Sequence, residues 1–336
     1  MRILVTGNRG YVGSHVVRQL KKDGHGVVGV DLNLFPNAVC KELSEPDVQH
    51  YLDFRDIDNE VLKDVDGIIH LAAISNDPMG NLSKQLTMEI NGKGTVTLAE
   101  KAKRAGVRTF TFASSCSVYG VGSNEPRKEI DPIRPLSAYA ESKVYAELGL
   151  ASMITKDFSV YLLRNATAYG TSSVFRTDLV LNELISQVFV NKVAMITSDG
   201  SPWRPLINCL DMARALVLFA THNPVAYSGL PINVGFNSDN FRILELGKMI
   251  EKIFPECNIS MGQSSPKDPR SYRVDFSLLQ EIFPGFVPEV DIRLHVIEML
   301  EFLKEIGYSA NELKKDRYVR LVELISTSKF KVLQLE

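Results

Sequence analysis

Short β-branched runs alternate with longer stretches of helical period through the first half of the chain. Ile3 to Val5, Val27 to Asp31, Ile68 to Leu71, Phe110 to Ala113 and Tyr161 to Arg164 read as strands; Tyr11 to Lys22, Ser83 to Ala105 and Ser137 to Ile154 read as helices. Strands that alternate with helices pair in parallel through crossovers, so the pattern predicts an α/β fold: a Rossmann-like, doubly wound parallel sheet covered on both faces. Past Asn165 the pattern loosens. It predicts a helix from Asp178 to Val190, a short strand from Ala194 to Thr197, a helix from Asp211 to Ala220, and further helices near Ile243 to Ile253 and Ile292 to Ile306. A turn-rich loop, Gln263 to Ser271, is expected at the cleft, and an amphipathic helix is expected at Tyr318 to Ile325. The division is therefore a first domain of residues 1–165 and a smaller, mostly helical lobe of residues 166–336, whose strands are free to return to the first sheet.

Composition narrows the class. Of 336 residues, 45% are apolar and 23% charged, which excludes disorder and fibrous repeats. Thirty-eight basic against forty acidic residues leave a formal charge of −2 without a basic cluster, so neither nucleic acid nor an anionic membrane is an expected partner. The N-terminal run MRILVTG is too short for a signal peptide, and no stretch approaches the ~18 apolar residues of a membrane span. A cytoplasmic protein is expected. Cys40, Cys116, Cys209 and Cys257 lie far apart with no CxxC pair and are expected as free thiols; the histidines show no HxxxH or HExxH spacing, so no metal is expected.

The first strand runs into Gly7-Asn8-Arg9-Gly10-Tyr11-Val12-Gly13, a GxxGxxG turn opening a helix. Gly7 suits the tight turn, Gly10 a close approach of backbone to a pyrophosphate, and Gly13 the packing of helix on strand, with the helix N-terminus favouring phosphate charge. Three glycines alone also fit an ordinary strand-to-helix turn. Asp31 adds context, because it ends the second strand 18 residues after Gly13, where an acid accepts hydrogen bonds from the adenosine ribose. A carboxylate there repels a ribose 2′-phosphate, and Leu32, Asn33 and Leu34 bring no arginine to neutralise one, so NAD is expected over NADP.

Tyr139 and Lys143 stand four apart in Ser137-Ala138-Tyr139-Ala140-Glu141-Ser142-Lys143, on one face of a helix. A lysine ammonium about 4 to 6 Å from a phenolate contributes roughly 3 to 4 kcal/mol at an effective dielectric of about 20, enough to bring the phenol toward neutrality as a base. Alone, such a pair also fits a solvated lysine beside a packed tyrosine. The strand from Phe110 continues into Ser114-Ser115-Cys116-Ser117-Val118-Tyr119-Gly120, which delivers small hydroxyls to the carboxyl edge of the sheet.

Taken in order, TGNRGYVG, the DFRD segment, HLAA (His70 to Ala73), NGKGT (Asn91 to Thr95), SSCSVYG, YAESK and LRNATAYG (Leu163 to Gly170) resemble the extended short-chain dehydrogenase/reductases. The resemblance is to the NAD-dependent nucleotide-sugar epimerases and dehydratases, with UDP-galactose 4-epimerase as type member. It implies that Gly7, Gly10, Tyr11, Val12 and Gly13 form the pyrophosphate turn of an NAD-binding domain, with Asp31 as the ribose acid. Asp53 and Phe54 would touch the adenine, Leu71, Ala72 and Ala73 would line the cofactor, and Ser114 and Ala166 would complete its pocket. Ser115, Tyr139 and Lys143 would be catalytic, and Asn91 would steady the backbone nearby. The implied chemistry is transient oxidation: Tyr139 takes the proton of the sugar O4 hydroxyl as C4 gives hydride to the nicotinamide, Ser115 steadies that oxygen, and Lys143 tunes Tyr139 and binds the nicotinamide ribose. The resemblance also implies a homodimer pairing the Tyr139 helix and the helix before it.

Dehydratases and decarboxylases of this family carry Thr-Asp-Glu and Thr-Ser-Glu where this chain has Ser115, Cys116 and Ser117. The missing carboxylates favour epimerisation at C4. Cys116 has two readings: a thiol acid or base beside a 4-keto sugar, as in a 3,5-epimerase or reductase, or a small buried residue. In the lobe, Arg204 matches a diphosphate-binding arginine and Arg270 is a substitute for a second; Thr167, Asp178 and Leu179 stand where substrate contacts fall, with Thr167 and Asp178 replacing usual asparagines. The substrate expected is a nucleotide sugar. A catalytically idle NAD-binding sensor is the reading from a different class, and would be marked by loss of Ser, Tyr or Lys.

Overall fold

In the first strand Ile3 and Val5 enter one apolar cluster and Leu4 another, so both faces of the sheet are covered. That two-sided burial is why the strands read as continuous apolar runs. The computed structural model describes residues 1–122, 125–262, 270–315 and 318–321. In chain order the strands are β1 (Arg2–Thr6), β2 (Gly26–Val30), β3 (Val48–His50), β4 (Gly67–His70), β5 (Thr109–Ser115), β6 (Ser159–Asn165), β7 (Thr167–Tyr169), β8 (Val193–Ile196), β9 (Trp203–Asn208), β10 (Pro231–Val234), β11 (Asn240–Arg242) and β12 (Asn258–Met261). The main sheet has the order β3-β2-β1-β4-β5-β6-β10, and every pairing in it is parallel. This is the Rossmann-like, doubly wound α/β fold that the alternation predicts. The strand order reverses between β1 and β4, and a cleft opens outside their carboxyl ends.

The helices that matter to the cleft are α1 (Gly13–Lys22), α2 (Asp77–Gly80), α3 (Lys84–Thr87), α4 (Thr95–Arg104), α5 (Ala138–Ala151), α6 (Val180–Asn191) and α7 (Cys209–His222). Val16, Val17 and Leu20 of α1 pack with Leu216 and Phe219 of α7 on one face of the sheet; Leu98 and Ala102 of α4 pack with Ala146 and Leu150 of α5 on the other. A third cluster fills the lobe, joining Leu184 and Val188 of α6 to Leu246 and Ile250 of the helix Ile243–Ile253 and Val296 and Met299 of the helix Ile292–Glu305.

Six strands escape the sequence pattern: β3, β7, β9, β10, β11 and β12. β3 and β10 are short edge strands, and Pro231 opens the latter, a position that needs no ladder N–H. Pro205 disguises β9, yet it is tolerated because β11 pairs with residues 203–205 and β7 with residues 206–208, leaving the proline a neighbour on one side only. The expected helix from Ser83 to Ala105 is α3 and α4 joined by a π-helical stretch, Met88–Gly94. Of the expected loop, residues 263–269 lie outside the described residues, as does the expected terminal helix beyond Leu321. All four cysteines are free thiols. Among the described residues no helix is long and apolar enough to cross a membrane, and no cluster of three side chains is placed to hold a metal ion.

Candidate active site

A single cavity of about 630 Å³ runs along the carboxyl edge of the sheet, from the Gly7 turn to the lobe. Its first half is shaped by absent side chains. Gly7 has φ +73°, and a Cβ on it would lie 2.8 Å from the Ala72 nitrogen; a Cβ on Gly13 would lie 2.0 Å from the Gly7 carbonyl oxygen. Gly10 meets only that same oxygen, at 3.0 Å, so its outer side stays open to the cavity. Tyr11 is anchored by its hydroxyl, which donates to the Gly170 carbonyl at 2.6 Å, and thereby ties the turn to the lobe. Thr6 and His70 brace the floor: the Leu71 and Ala72 amides donate to Thr6 Oγ1, which is 2.7 Å from His70 Nδ1. Burial lowers His70 to about 3, so the ring is neutral.

Asp31 is fixed by two backbone amides, with Oδ2 accepting from Arg9 at 3.0 Å and Oδ1 from Asn33 at 2.7 Å. Burial pushes its pKa up while those amides and the nearby arginines oppose the shift. Asp53 caps the short turn Phe54–Asp56 and accepts from the Arg55 amide and guanidinium, so its carboxylate is held by its own neighbour.

At the centre, β5 presents Ser115 and α5 presents Tyr139 and Lys143. Ser137 caps α5 by accepting from the Ala140 amide at 3.1 Å, which sets the helix register and with it the spacing of both side chains. The Ser115 hydroxyl faces the Tyr139 hydroxyl closely enough to favour its ionised form. Lys143 Nζ donates to the Ala113 carbonyl at 2.7 Å and lies 5.6 Å from the Tyr139 ring centre. The electrostatics differ from the simple Coulomb expectation. Burial first, then the Asp77 carboxylate, raise Tyr139 to about 12, against the lowering effect of Ser115 and Arg176. Burial lowers Lys143 itself to about 7, so the ammonium carries only part of its charge at neutrality. Without ligands the phenol is a proton donor. The expectation fails because it treated the lysine as fully charged and ignored the cost of burying a phenolate.

Behind this set lies a buried polar network that the sequence reading did not single out. Glu147 Oε1 accepts from the Ser114 hydroxyl at 2.5 Å, and its carboxylate pairs with Arg164 at 2.7 Å. The Ser114 hydroxyl is thus turned toward Glu147 rather than committed to a cofactor. Glu147 continues the four-residue spacing of Tyr139 and Lys143, a signal visible in the sequence. Asn91, inside the π-helical stretch, donates to the Ile74 carbonyl at 3.0 Å and accepts from its amide at 2.8 Å, steadying a cavity-lining residue.

Cys116 is displaced from its expected substrate role. It is 1% exposed, its thiol donates to the Arg164 carbonyl at 3.1 Å, and burial pushes its pKa up. It does not line the cavity, because it opens the 3-10 turn Cys116–Tyr119 and is buried with Val118 and Tyr119 in the core cluster. The other predicted contacts, from Gly7 through Arg270, do line it, including Ser114, Ala166, Thr167, Leu179 and Arg204. Several are already paired. Asp178 is clasped by Arg176 at 2.8 Å and accepts from Asn76 at 2.9 Å. Arg204 donates to the carbonyls of Trp203 and Arg270, and Arg270 pairs with Asp77, which also accepts from Ser137. Arg176 and Asp77 were missed; the signal for Arg176 was its place two residues before a candidate acid.

The model of the NAD dependent epimerase/dehydratase family matches residues 3–235. The chain belongs to that family. NAD is its cofactor, and the turn fits one: Gly7 and Gly13 let it fold so tightly on backbone that no Cβ is tolerated, and Gly10 leaves its outer side open for a dinucleotide lying close to backbone. As a member of the epimerase/dehydratase family, the chain is 29% identical over 308 residues to UDP-glucuronic acid decarboxylase 2 of Arabidopsis thaliana, 87% of this chain and 66% of that protein's length. It is 28% identical over 325 residues to UDP-glucuronic acid decarboxylase 1 of Danio rerio, 92% of this chain and 74% of that one. Among solved structures, UDP-glucuronic acid 4-epimerase from Bacillus cereus with UDP-glucuronic acid and NAD superposes with a TM-score of 0.78 at 26% identity, covering 91% of this chain and 100% of that one. MoeE5 with UDP-glucuronic acid and NAD superposes with a TM-score of 0.77 at 28% identity, covering 91% and 99%.

Proposed function

We propose that this member of the family is an NAD-dependent epimerase of nucleotide sugars that acts through a transient 4-keto sugar and works as a homodimer. The observation that carries the reading is the convergence of Ser115, Tyr139 and Lys143 on one cavity whose strand end brings no carboxylate, since Cys116 is turned away and Ser117 donates its amide to Ser115 Oγ at 3.2 Å. When bound, NAD accepts hydride from the sugar and brings a positive charge into the site. Tyr139 moves the proton of the hydroxyl being oxidised, and Ser115 holds that oxygen by hydrogen bonding. Lys143 favours the ionised phenol to the extent that it stays charged, while Ala113 and Glu147 keep it in place. With no carboxylate on the strand end, and with Asp77 and Asp178 paired to Arg270 and Arg176, the 4-keto sugar would turn over and take the hydride back.

A second reading is oxidative decarboxylation of a nucleotide-linked uronic acid. The names of the relatives support it, as does buried Arg176, whose charge reaches the Tyr139 hydroxyl and would meet a sugar carboxylate there. Incubation with UDP-sugars, uronic acids included, followed by proton NMR separates the two. An epimer with no carbon dioxide released and no net NADH supports the proposal; a pentose product or stoichiometric NADH overturns it.

A further inference from the structure

The segment Tyr318 to Leu321 crosses from the lobe to the cofactor half of the cavity. At the lobe end the Thr177 amide donates to the Tyr318 carbonyl at 3.1 Å, and the Tyr318 ring packs on Phe175 and Tyr308 with centres 5.6 and 5.8 Å away. At the other end Leu321 packs on the cluster that contains Val28 and Val30 of β2. Between these anchors Arg320 is 3% exposed, and its guanidinium carbon lies 4.1 Å from the Phe35 ring centre. Val319, Arg320 and Leu321 line the same cavity as Asp31 to Phe35.

We propose that Arg320 is a cofactor-specificity residue, walling the adenosine-ribose corner and supplying the positive charge that admits a 2′-phosphate beside Asp31. The inference rests on reading Asp31 as the ribose acid. Asp31 is immobile, with both oxygens engaged by backbone amides. Arg320 is close enough to favour its ionised form, against burial, and so shares the corner. Arg9, which also favours the ionised Asp31, holds it through its amide and pairs its guanidinium at 3.1 Å with both oxygens of Glu45. A guanidinium seated over an aromatic face keeps its N–H donors in its own plane, the geometry that takes phosphate. A lone Asp31 excludes NADP; Asp31 with Arg320 discriminates less, and NADP binds measurably although NAD binds better.

Calorimetry of the full chain with ADP-ribose and with 2′-phospho-ADP-ribose tests this without turnover. Arg320→Gln should weaken the phosphorylated ligand by roughly tenfold, the scale of one charge-assisted contact, and leave ADP-ribose within about twofold. Asp31→Asn should shift preference toward the phosphorylated ligand. The inference is overturned if wild type shows no binding of the phosphorylated ligand, if Arg320→Gln weakens both ligands alike, as a packing role would, or if it weakens neither. Loss of ADP-ribose binding sensitivity to Asp31→Asn would instead remove the ribose role of Asp31, while the Arg320 comparison is still read from its own two ligands. Neither result bears on which sugar the enzyme turns over.

Discussion

At the scale of single residues, the site is a set of ionisable groups moved by burial. Tyr139→Phe keeps the ring and its packing but removes the group that moves the hydroxyl proton; turnover should fall by about 10² to 10⁴ with NAD affinity retained. Near wild-type turnover of this variant would remove Tyr139 from the mechanism. The buried histidines give a second expectation. His15 is lowered to about 4 and His70 to about 3, both chiefly by burial. Below the ordinary histidine pKa of about 6.5 the unfolded chain binds protons that these folded rings refuse, so stability is lost as pH falls from about 6.5 toward 4. Urea midpoints across that range check it, and His15→Gln should flatten the dependence. A pH-independent midpoint would contradict neutral histidines. The residue types in the motifs were legible in the chain; the direction of these shifts was not, because burial is a property of the assembled cleft.

Elements determine how those residues meet. The π-helical stretch Met88–Gly94 interrupts the expected helix where the sequence brings Asn91, Gly92 and Gly94, and it places Asn91 against both polar groups of the Ile74 backbone. π-helical turns recur at functional sites, where the extra residue per turn redirects a side chain. Asn91→Ala leaves a buried amide and a buried carbonyl unpaired, each worth about 1 to 3 kcal/mol, so a loss of about 2 to 6 kcal/mol in unfolding free energy is expected, with reduced turnover because Ile74 lines the cavity. Denaturant titration and steady-state rates measure both. A variant as stable as wild type would show that the Ile74 groups find other partners. The helix α5, by contrast, was legible: Ser137 at its cap and the four-residue spacing beyond it announce both the start and the functional face.

For the whole molecule, the cleft exists only because the lobe closes against the sheet edge, with Tyr11 bonded to Gly170 and Arg270 to Asp77 across it. On the outside of α5, Tyr145 and Leu148 are 44% and 70% exposed, an apolar face suited to the dimer proposed above. Light scattering at micromolar concentration should give twice the chain mass; a monomer would refute the pairing. Hydride that leaves and returns within one turnover should let substrate convert with no added reductant and no NADH absorbance.

By itself the sequence determined what local spacing can encode: alternating strands and helices, the glycine turn, the acid at the end of β2, and a tyrosine and lysine one helical turn apart. Each depends on contacts among near neighbours in the chain, or on a motif long enough to be specific. Only the tertiary structure decided that Cys116 faces away, that Asp178 is clasped by Arg176, that β10 rejoins the sheet after the lobe has begun, and that Arg320 arrives beside Asp31. Those outcomes depend on pairs separated by many residues, whose meeting is set by how the sheet and lobe pack together and which charges that packing buries.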